Sequence, residues 1–546
     1  MLNKKIMFIA ILIISLLSIS AVSAAEDATS DIATASDDAV IDEGINEEVS
    51  NEELILEESE KNVLTQNEDE ENPITQLDYM PFSTLNQELN DETIDEYDML
   101  IDAKYDSDLE GDQSYKNGIQ ITHNVTIDGK GHTINGSNQA GIFIIPNNIA
   151  VVLKNINFIN GNSSSYGGAI YISYGGQCTI MNCNFTNNTA NYGGAIYGYG
   201  GQCNATDCNF IGNTANYAGG AMEYGTATNC NFTQNAVTAS GSGGAMYASN
   251  ASNCKFTNNS ASQGGAMIGE YGKFCNAIDC TFIGNNASNI GGAIYFGNAS
   301  NCKFIENTAT NRGGAMIYAI AEKSNFTQNE ATQGGAIYEG NASNCKFTEN
   351  SASEGGAIIN GNASNCNFIE NTATNRGGAI KNVTANNCNF TQNSAENSGG
   401  AMDTGEAINC NFYNNHATQN GGAMYYGTPT NCNFIGNTAT QGGAMWMNSA
   451  YNCNFTNNTA TNYGGAMYMV NAYDCNFIGN TATQGGAMYY NTATNCNFTN
   501  NTATQGGAMY YGTPYNCNFI ENIAYDDYED AYGGAMYGST ATNCSF

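Results

Sequence analysis

Proline and basic side chains are what this chain has least of: 5 prolines and 15 Lys and Arg in 546 residues, against 51 Asp and Glu and a formal net charge of −36. A chain this acidic is repelled by phosphate backbones and anionic lipid, which are bound through Lys and Arg in number, so nucleic-acid binding is excluded. Tryptophan occurs once and histidine three times, which leaves little material for an imidazole-based site. Long apolar runs are missing except at the N-terminus, where Lys4 and Lys5 precede a stretch from Ile6 to Leu17 and a small-residue site at Val22-Ser23-Ala24. That layout reads as a secretory signal over residues 1–24, with an uncleaved anchor as the alternative. Either way the rest of the chain is expected outside the cell, with no membrane insertion after signal cleavage.

The acidity is concentrated. Residues 26–112 hold 30 of the 51 acidic groups and only two lysines, Lys61 and Lys104. Residues 25–78 are poor in aromatics and show no periodicity, so they bury too little apolar surface to offset the entropy of ordering. A disordered, self-repelling spacer is expected there, with cation binding as the functional alternative.

What is abundant is glycine (62), tyrosine (33) and cysteine (19), and it is arranged in a repeat. Gly-Gly-Ala occurs 17 times between Gly167 and Gly533, at spacings of 21 to 27 residues. The next residue is Ile or Met in every copy, as in Ile170, Met222, Met424 and Met536. The one after it is usually Tyr but can be Glu223, Lys381 or Asp403. One site sealed from water beside one open to it is strand alternation. Further along, Phe fills a column from Phe185 to Phe546, and Cys stands two residues before it in 16 copies, with Ser324 in the other. The Asn three after Phe (Asn188, Asn213, Asn437, Asn522) is assigned to a left-handed turn ladder, and the Ala two further on to a tight corner.

Two short strands per unit, joined by Gly, Asn and Thr turns, are too short for helical repeats and fit one coil of a parallel β-helix. About 17 coils at the inter-strand spacing make a rod roughly 80 Å long. Residues 161–546 form this repeat region. Residues 79–160, with β-branched alternation but no Gly-Gly-Ala, are expected to form the N-terminal cap and entry coils, a short helix covering the open end. The chain stops in mid-coil at Phe546, so the alternatives are a truncated product, an end covered by a partner, self-association through the uncapped C-terminal coil included, or an end covered by the DDYED insertion at 526–530.

Repeated GGAI or GGAM followed by FxxN is the motif of the chlamydial polymorphic outer-membrane protein repeat. TIDGKGHTINGSNQAGIF and LKNINFINGN leading into YGGAIY resemble the adhesin-like surface proteins of methanogenic archaea, over about residues 79–546. The resemblance implies a right-handed parallel β-helix of the pectin lyase-like kind, secreted and used in adhesion or surface display. No stretch reads as the membrane β-barrel that ends the bacterial family, so the mode of attachment is open.

Three chemistries are open to such a chain. The ladder cysteines, at i and i+2 with Phe, read as buried reduced packing, Ser324 substituting sterically; disulfides and zinc are the alternatives. Cys178, Cys203 and Cys275 each lie five residues before a ladder cysteine, which makes Cys178–Cys183, Cys203–Cys208 and Cys275–Cys280 the disulfide candidates. Polysaccharide lysis or hydrolysis needs paired carboxylates or calcium with a base, but the acids are scattered singly, Glu306, Glu349 and Glu370 among them, and His416 is alone. No catalytic residue, metal or cofactor is therefore assigned. Binding is better supplied. Tyr171, Tyr197, Tyr247, Tyr295, Tyr338, Tyr425, Trp446, Tyr468, Tyr489, Tyr510 and Tyr537 share the column after Ile/Met, on the outer face of one sheet. Such a stripe suits sugar rings or protein surfaces, or else simply stabilises the sheet. The expected function is a non-catalytic, adhesin-like rod binding cell-wall, host or microbial surface glycans or proteins. The alternatives are a passive surface coat or fibre and a polysaccharide-acting enzyme.

Overall fold

A computed structural model describes residues 78–546 apart from 239 and 526–531. The expected signal, nearly all of the acidic spacer and the DDYED segment at 526–530 lie outside the described residues. The rest is a β-solenoid of parallel strands, stacked in about 20 turns. The strands form three sheets, of 29, 20 and 16 strands, where two were expected; the third begins at Thr189, so the entry coils contribute to the first two alone.

One coil shows the plan. Met424–Thr430 runs in the first sheet, Asn433–Ile435 in the second and Thr438–Gln441 in the third. The corners are single left-handed residues: Asn431 (φ 56°), Gly436 (φ 68°) and Gly442 (φ 61°), the last being the first glycine of the next Gly-Gly-Ala. That glycine is required by its φ. The second is required by the stacking, because a Cβ on Gly443 would run into the carbonyl oxygen of Gly465 one coil on. The third sheet escaped notice because its strands read Thr-Ala-Thr, with only the small Ala buried, as at Ala439 and Ala460. Those alanines sit inside strands and not at corners.

Three columns fill the interior. The Met/Ile after Gly-Gly-Ala is buried as far as Met509 and the Phe as far as Phe519, while Met536 is half-buried and Phe546 exposed in the last coil. From Phe158 to Phe546 the rings stack without a break, for example 4.8 Å and 5° between Phe185 and Phe210, 4.7 Å and 1° between Phe412 and Phe434, and 5.1 Å and 9° between Phe519 and Phe546. Each buried Phe contributes roughly 2–3 kcal/mol by leaving water, and each stacked neighbour ~0.5–1.5 more.

The third column is the Asn after Phe, and it corrects an expectation. The left-handed residue is the one before it (Asn187, Gln234, Glu306, Glu349), while the Asn itself points inward and is fully buried. Asn213 Oδ1 accepts both the backbone N–H and the Nδ2 of Asn188, each at 3.0 Å. Its own Nδ2 donates to Phe185 O of the preceding coil (2.9 Å) and to Asn235 Oδ1 of the next (2.9 Å). The same bonds recur down the rod as far as Asn501 and Asn522. Every polar atom of the side chain is satisfied, which is what permits an amide in an apolar core.

At the N-terminal end the helix Phe82–Leu89 buries Phe82, Leu85 and Leu89. Buried Asp112 accepts the backbone N–H groups of Phe82, Ser83 and Asp106 at 3.1, 2.8 and 2.9 Å, which ties the helix start to the first coils. Among the described residues no helix is long and apolar enough to cross a membrane.

Candidate functional site

In the first sheet the inward Met or Ile forces its neighbour outward. The eleven aromatics of that outer column do not form one stripe. In the C-terminal coils Tyr425, Trp446, Tyr468, Tyr489, Tyr510 and Tyr537 make a ladder, with successive centroids 4.7, 6.2, 5.3, 5.1 and 5.1 Å apart and interplanar angles of 18° or less. Stacked this way, the rings cover one another's faces and show solvent mainly their edges and hydroxyls. Tyr426, Tyr490 and Tyr511 form a second, more exposed column beside them, Tyr426 and Tyr511 standing edge-on to Tyr425 and Tyr510 at 89° and 86°. The doublets Tyr425-Tyr426, Tyr489-Tyr490 and Tyr510-Tyr511 were the sequence signal for it.

The middle of the column is apolar and then charged. Ile317, Tyr338 and Ile359 form a buried cluster, with the Arg312 guanidinium 4.8 Å over the Tyr338 ring. Lys381 Nζ lies 2.7 Å from Glu354 and 3.5 Å from Asp403. Burial raises the Asp403 carboxyl despite that lysine. Tyr295 faces Ile268 and Ile317 on either side, so the rings of this column do not stack on one another here; Tyr295 packs instead on Phe296, which stacks on Tyr318.

Tyr171, Tyr197 and Tyr247 belong to a third arrangement. The register partner of Tyr197 is Glu223, and that of Glu223 is Tyr247, so a carboxylate stands where a ring would complete the ladder. The rings around it are tilted: 46° between Tyr171 and Tyr197, 30° between Tyr166 and Tyr197, 88° between Tyr197 and Tyr224. They wall a recess of about 520 Å³ lined by Tyr166, Tyr192, Tyr197, Tyr199, Tyr217, Tyr224 and Tyr247, with Glu223 and Glu270. Glu223 is 4% exposed and its Oε2 has no hydrogen-bond partner. Burial pushes its carboxyl up to about 8. Burial, with Glu223 close by, also raises the phenols of Tyr197 and Tyr224. Sequence reasoning named two of the seven ring walls. Tyr166 and Tyr192 precede Gly-Gly, Tyr199 lies in the extra Tyr-Gly-Gly of a long coil, and Tyr224 follows Glu223 at a left-handed φ of 57°.

The cysteines are all separate thiols, Cys178–Cys183, Cys203–Cys208 and Cys275–Cys280 included. Cys178 lies in register with Cys203 in the first sheet, whereas Cys183 follows the left-handed Asn182 around the corner. Burial raises the Cys203 and Cys275 thiols to about 12, far from the reactive thiolate. The ladder thiols do more than pack. Cys410 Sγ accepts the backbone N–H of Cys388 (3.4 Å) and donates to Ile408 O (3.3 Å). Ser324 Oγ makes the same pair of bonds, from Cys302 N–H at 3.0 Å and to Glu322 O at 2.8 Å. Ser324 is thus a chemical substitute and not merely a steric one. The column selects a small group that both donates and accepts.

The histidines have local partners: Ile94 O for His123 Nε2, Asp102 for His132 and Thr438 for His416. Glu306, Glu349 and Glu370 are exposed at left-handed corners. Among the described residues no three His, Cys, Asp or Glu converge to hold a metal ion.

The Chlamydia polymorphic membrane protein repeat matches residues 182–199 and 279–297. Each match runs from the left-handed residue before a ladder cysteine into the next Gly-Gly-Ala strand. The chain therefore carries repeats of this type in a β-solenoid, which fits a surface-exposed repeat protein. No curated protein matches the chain. Among solved structures, a PL6 alginate lyase in complex with a trisaccharide aligns at 10% identity over 85% of each chain, with a TM-score of 0.13. That likeness carries no argument about function.

Proposed function

We propose that this protein is a secreted, non-catalytic adhesin-like rod, of the kind found on methanogenic archaea, that engages cell-wall, host or microbial surface glycans or proteins through the tyrosine face of its first sheet. The observation that carries this reading is the recess of tyrosines, in which Tyr224 meets Tyr197 at 88° and Tyr199 at 64° in place of the parallel C-terminal ladder. The scattered exposed glutamates and locally bonded histidines supply no paired acid and base, which weighs against the polysaccharide-acting alternative. The C-terminal ladder, with its faces consumed by stacking, supports a second reading in which those coils act as a passive coat or fibre element, self-associating end to end.

The test mixes the purified full-length chain, kept free of oxygen, with insoluble cell walls and a panel of polysaccharides. Co-sedimentation and newly released sugar ends are followed in the same tubes. Retention without release is the expected outcome, lost on Tyr199→Ser with Tyr217→Ser. Release of sugar ends overturns the non-catalytic reading, and neither signal leaves the coat element.

A further inference from the structure

We propose that the recess around Glu223 is a binding site for an organic ammonium group, the carboxylate supplying the counter-charge and the tilted tyrosines the walls. This rests on the reading that the tyrosine face takes a ligand, and it names the ligand's chemistry. Three observations converge on it. Glu223 is 4% exposed and its Oε2 meets no donor, an expensive state for a carboxyl group that a partner would relieve. Tyr197 and Tyr247 flank it in register, and Tyr224 stands edge-on to both Tyr197 (88°) and Tyr199 (64°) in the lining of the same recess, while Tyr166 packs on Tyr171 and Tyr197. Aromatic faces around one carboxylate are the surroundings in which a cation is held by ring quadrupoles and charge together.

Other ligand classes fit less well. A neutral sugar can use the phenol hydroxyls and Ser242 that line the recess but supplies no counter-charge for the buried carboxylate. Calcium needs six or more oxygens, which one buried carboxylate does not provide. The volume of about 520 Å³ exceeds a small ammonium head and leaves room for the chain that bears it.

The charged groups facing the recess are Glu223 and Glu270, the latter 3.7 Å from exposed Lys273. The titratable phenols facing it are those of Tyr166, Tyr192, Tyr197, Tyr199, Tyr217, Tyr224 and Tyr247, and burial raises those of Tyr197, Tyr224 and Tyr247. With its carboxyl near 8, Glu223 is mostly protonated at neutral pH when the recess is empty. A bound cation favours the carboxylate, so binding expels a proton and strengthens as pH rises.

The experiment titrates tetramethylammonium chloride, or the uncharged isostere neopentane as a saturated solution, into the full-length chain at pH 6 and pH 9. Tyrosine fluorescence and calorimetry in two buffers of different ionisation heat read the binding. The expected result is saturable binding of the cation alone, at least tenfold tighter at pH 9, with proton release at pH 7. Glu223→Gln is expected to weaken binding at pH 9 at least tenfold and to abolish the pH dependence. Tyr197→Leu, which leaves the acid in place, is expected to weaken binding at both pH values. Tyr489→Ser, on the distant ladder, is expected to change nothing. Equal binding of the uncharged isostere, or unchanged affinity in a folded Glu223→Gln chain, overturns the proposal. Wall retention that persists without any cation binding overturns it too, while leaving the surface-binding reading intact.

Discussion

The tyrosine recess and the tyrosine ladder occupy the same column of the same sheet, yet one is open and the other closed. Two differences separate them. From Gly421 to Gly506 the Gly-Gly-Ala units repeat every 21 or 22 residues, and the first-sheet strands keep the rings in step. From Gly167 to Gly243 the spacings are 26, 26 and 24, and the extra residues carry Tyr174 and Tyr199 out of the column. Then Glu223 replaces a ring at the centre. A solenoid aromatic column satisfies itself by stacking, and it offers ring faces to another molecule only where the stack is interrupted. The number of tyrosines is a poor guide to binding, and their disorder of angle is a better one.

The comparison assumes one inner frame beneath both regions, and the most damaging substitution attacks that frame. Asn371→Ala strands the N–H and Nδ2 of Asn350 and the carbonyl of Phe347. At ~1–3 kcal/mol for each stranded group, a loss of about 5 kcal/mol is expected in denaturant unfolding, with faster hydrogen exchange in the neighbouring coils. A loss below ~1 kcal/mol would show that the ladder is decoration.

Next in size is a pH effect confined to the recess. The Glu223 carboxyl is raised in the folded chain from 4.5 to about 8, so the folded state binds more protons across that interval and stability falls as pH climbs through it. The penalty is on the order of 4 kcal/mol above pH 8. Glu223→Gln removes it, so the melting temperature of the variant relative to the parent should rise between pH 5 and pH 9. Parallel melting curves would sink the idea of a buried, partnerless acid.

Smaller is the ladder's own contribution. Tyr489→Ser removes stacking with Tyr468 and Tyr510 and should cost ~2 kcal/mol in stability with no effect at the recess. The smallest effect is expected from Cys410→Ser, below ~1 kcal/mol, because Ser324 already shows the hydroxyl in that role, whereas Cys410→Val should cost ~2 by stranding the Cys388 N–H. If valine were tolerated better than serine, packing alone would govern the column.

Much of this was legible in the sequence for a simple reason. A solenoid turns a three-dimensional core into columns of repeated residues, so Met424, Phe434 and their counterparts announce their burial by never changing. What stayed hidden were directions and angles. Asn437 looked like a turn residue because Asn tolerates left-handed backbone, but the corner belongs to Gly436, and only the fold shows the amide turned inward. The third sheet was missed because an alanine such as Ala439 carries too little apolar surface to mark a strand. Glu223 was seen as an exposed exception to the tyrosine rule, when its neighbours in register bury it. The long coils of the recess were visible, but length alone does not set the tilts, since the unit from Gly506 to Gly533 is 27 residues long and Tyr537 still stacks on Tyr510 at 14°.

The buried amides also give the rod a direction. In every coil the Nδ2 and the backbone N–H of one Asn reach forward to the Oδ1 of the next, as from Asn437 to Asn458 and from Asn458 to Asn480. A stack cut at any of these coils therefore has two unlike ends: the side facing the C-terminus presents two waiting Asn donors and a Phe carbonyl, the other a waiting Oδ1 and one Nδ2 proton. A chain that folds from its N-terminus would lay each new amide onto that donor pair, one coil at a time.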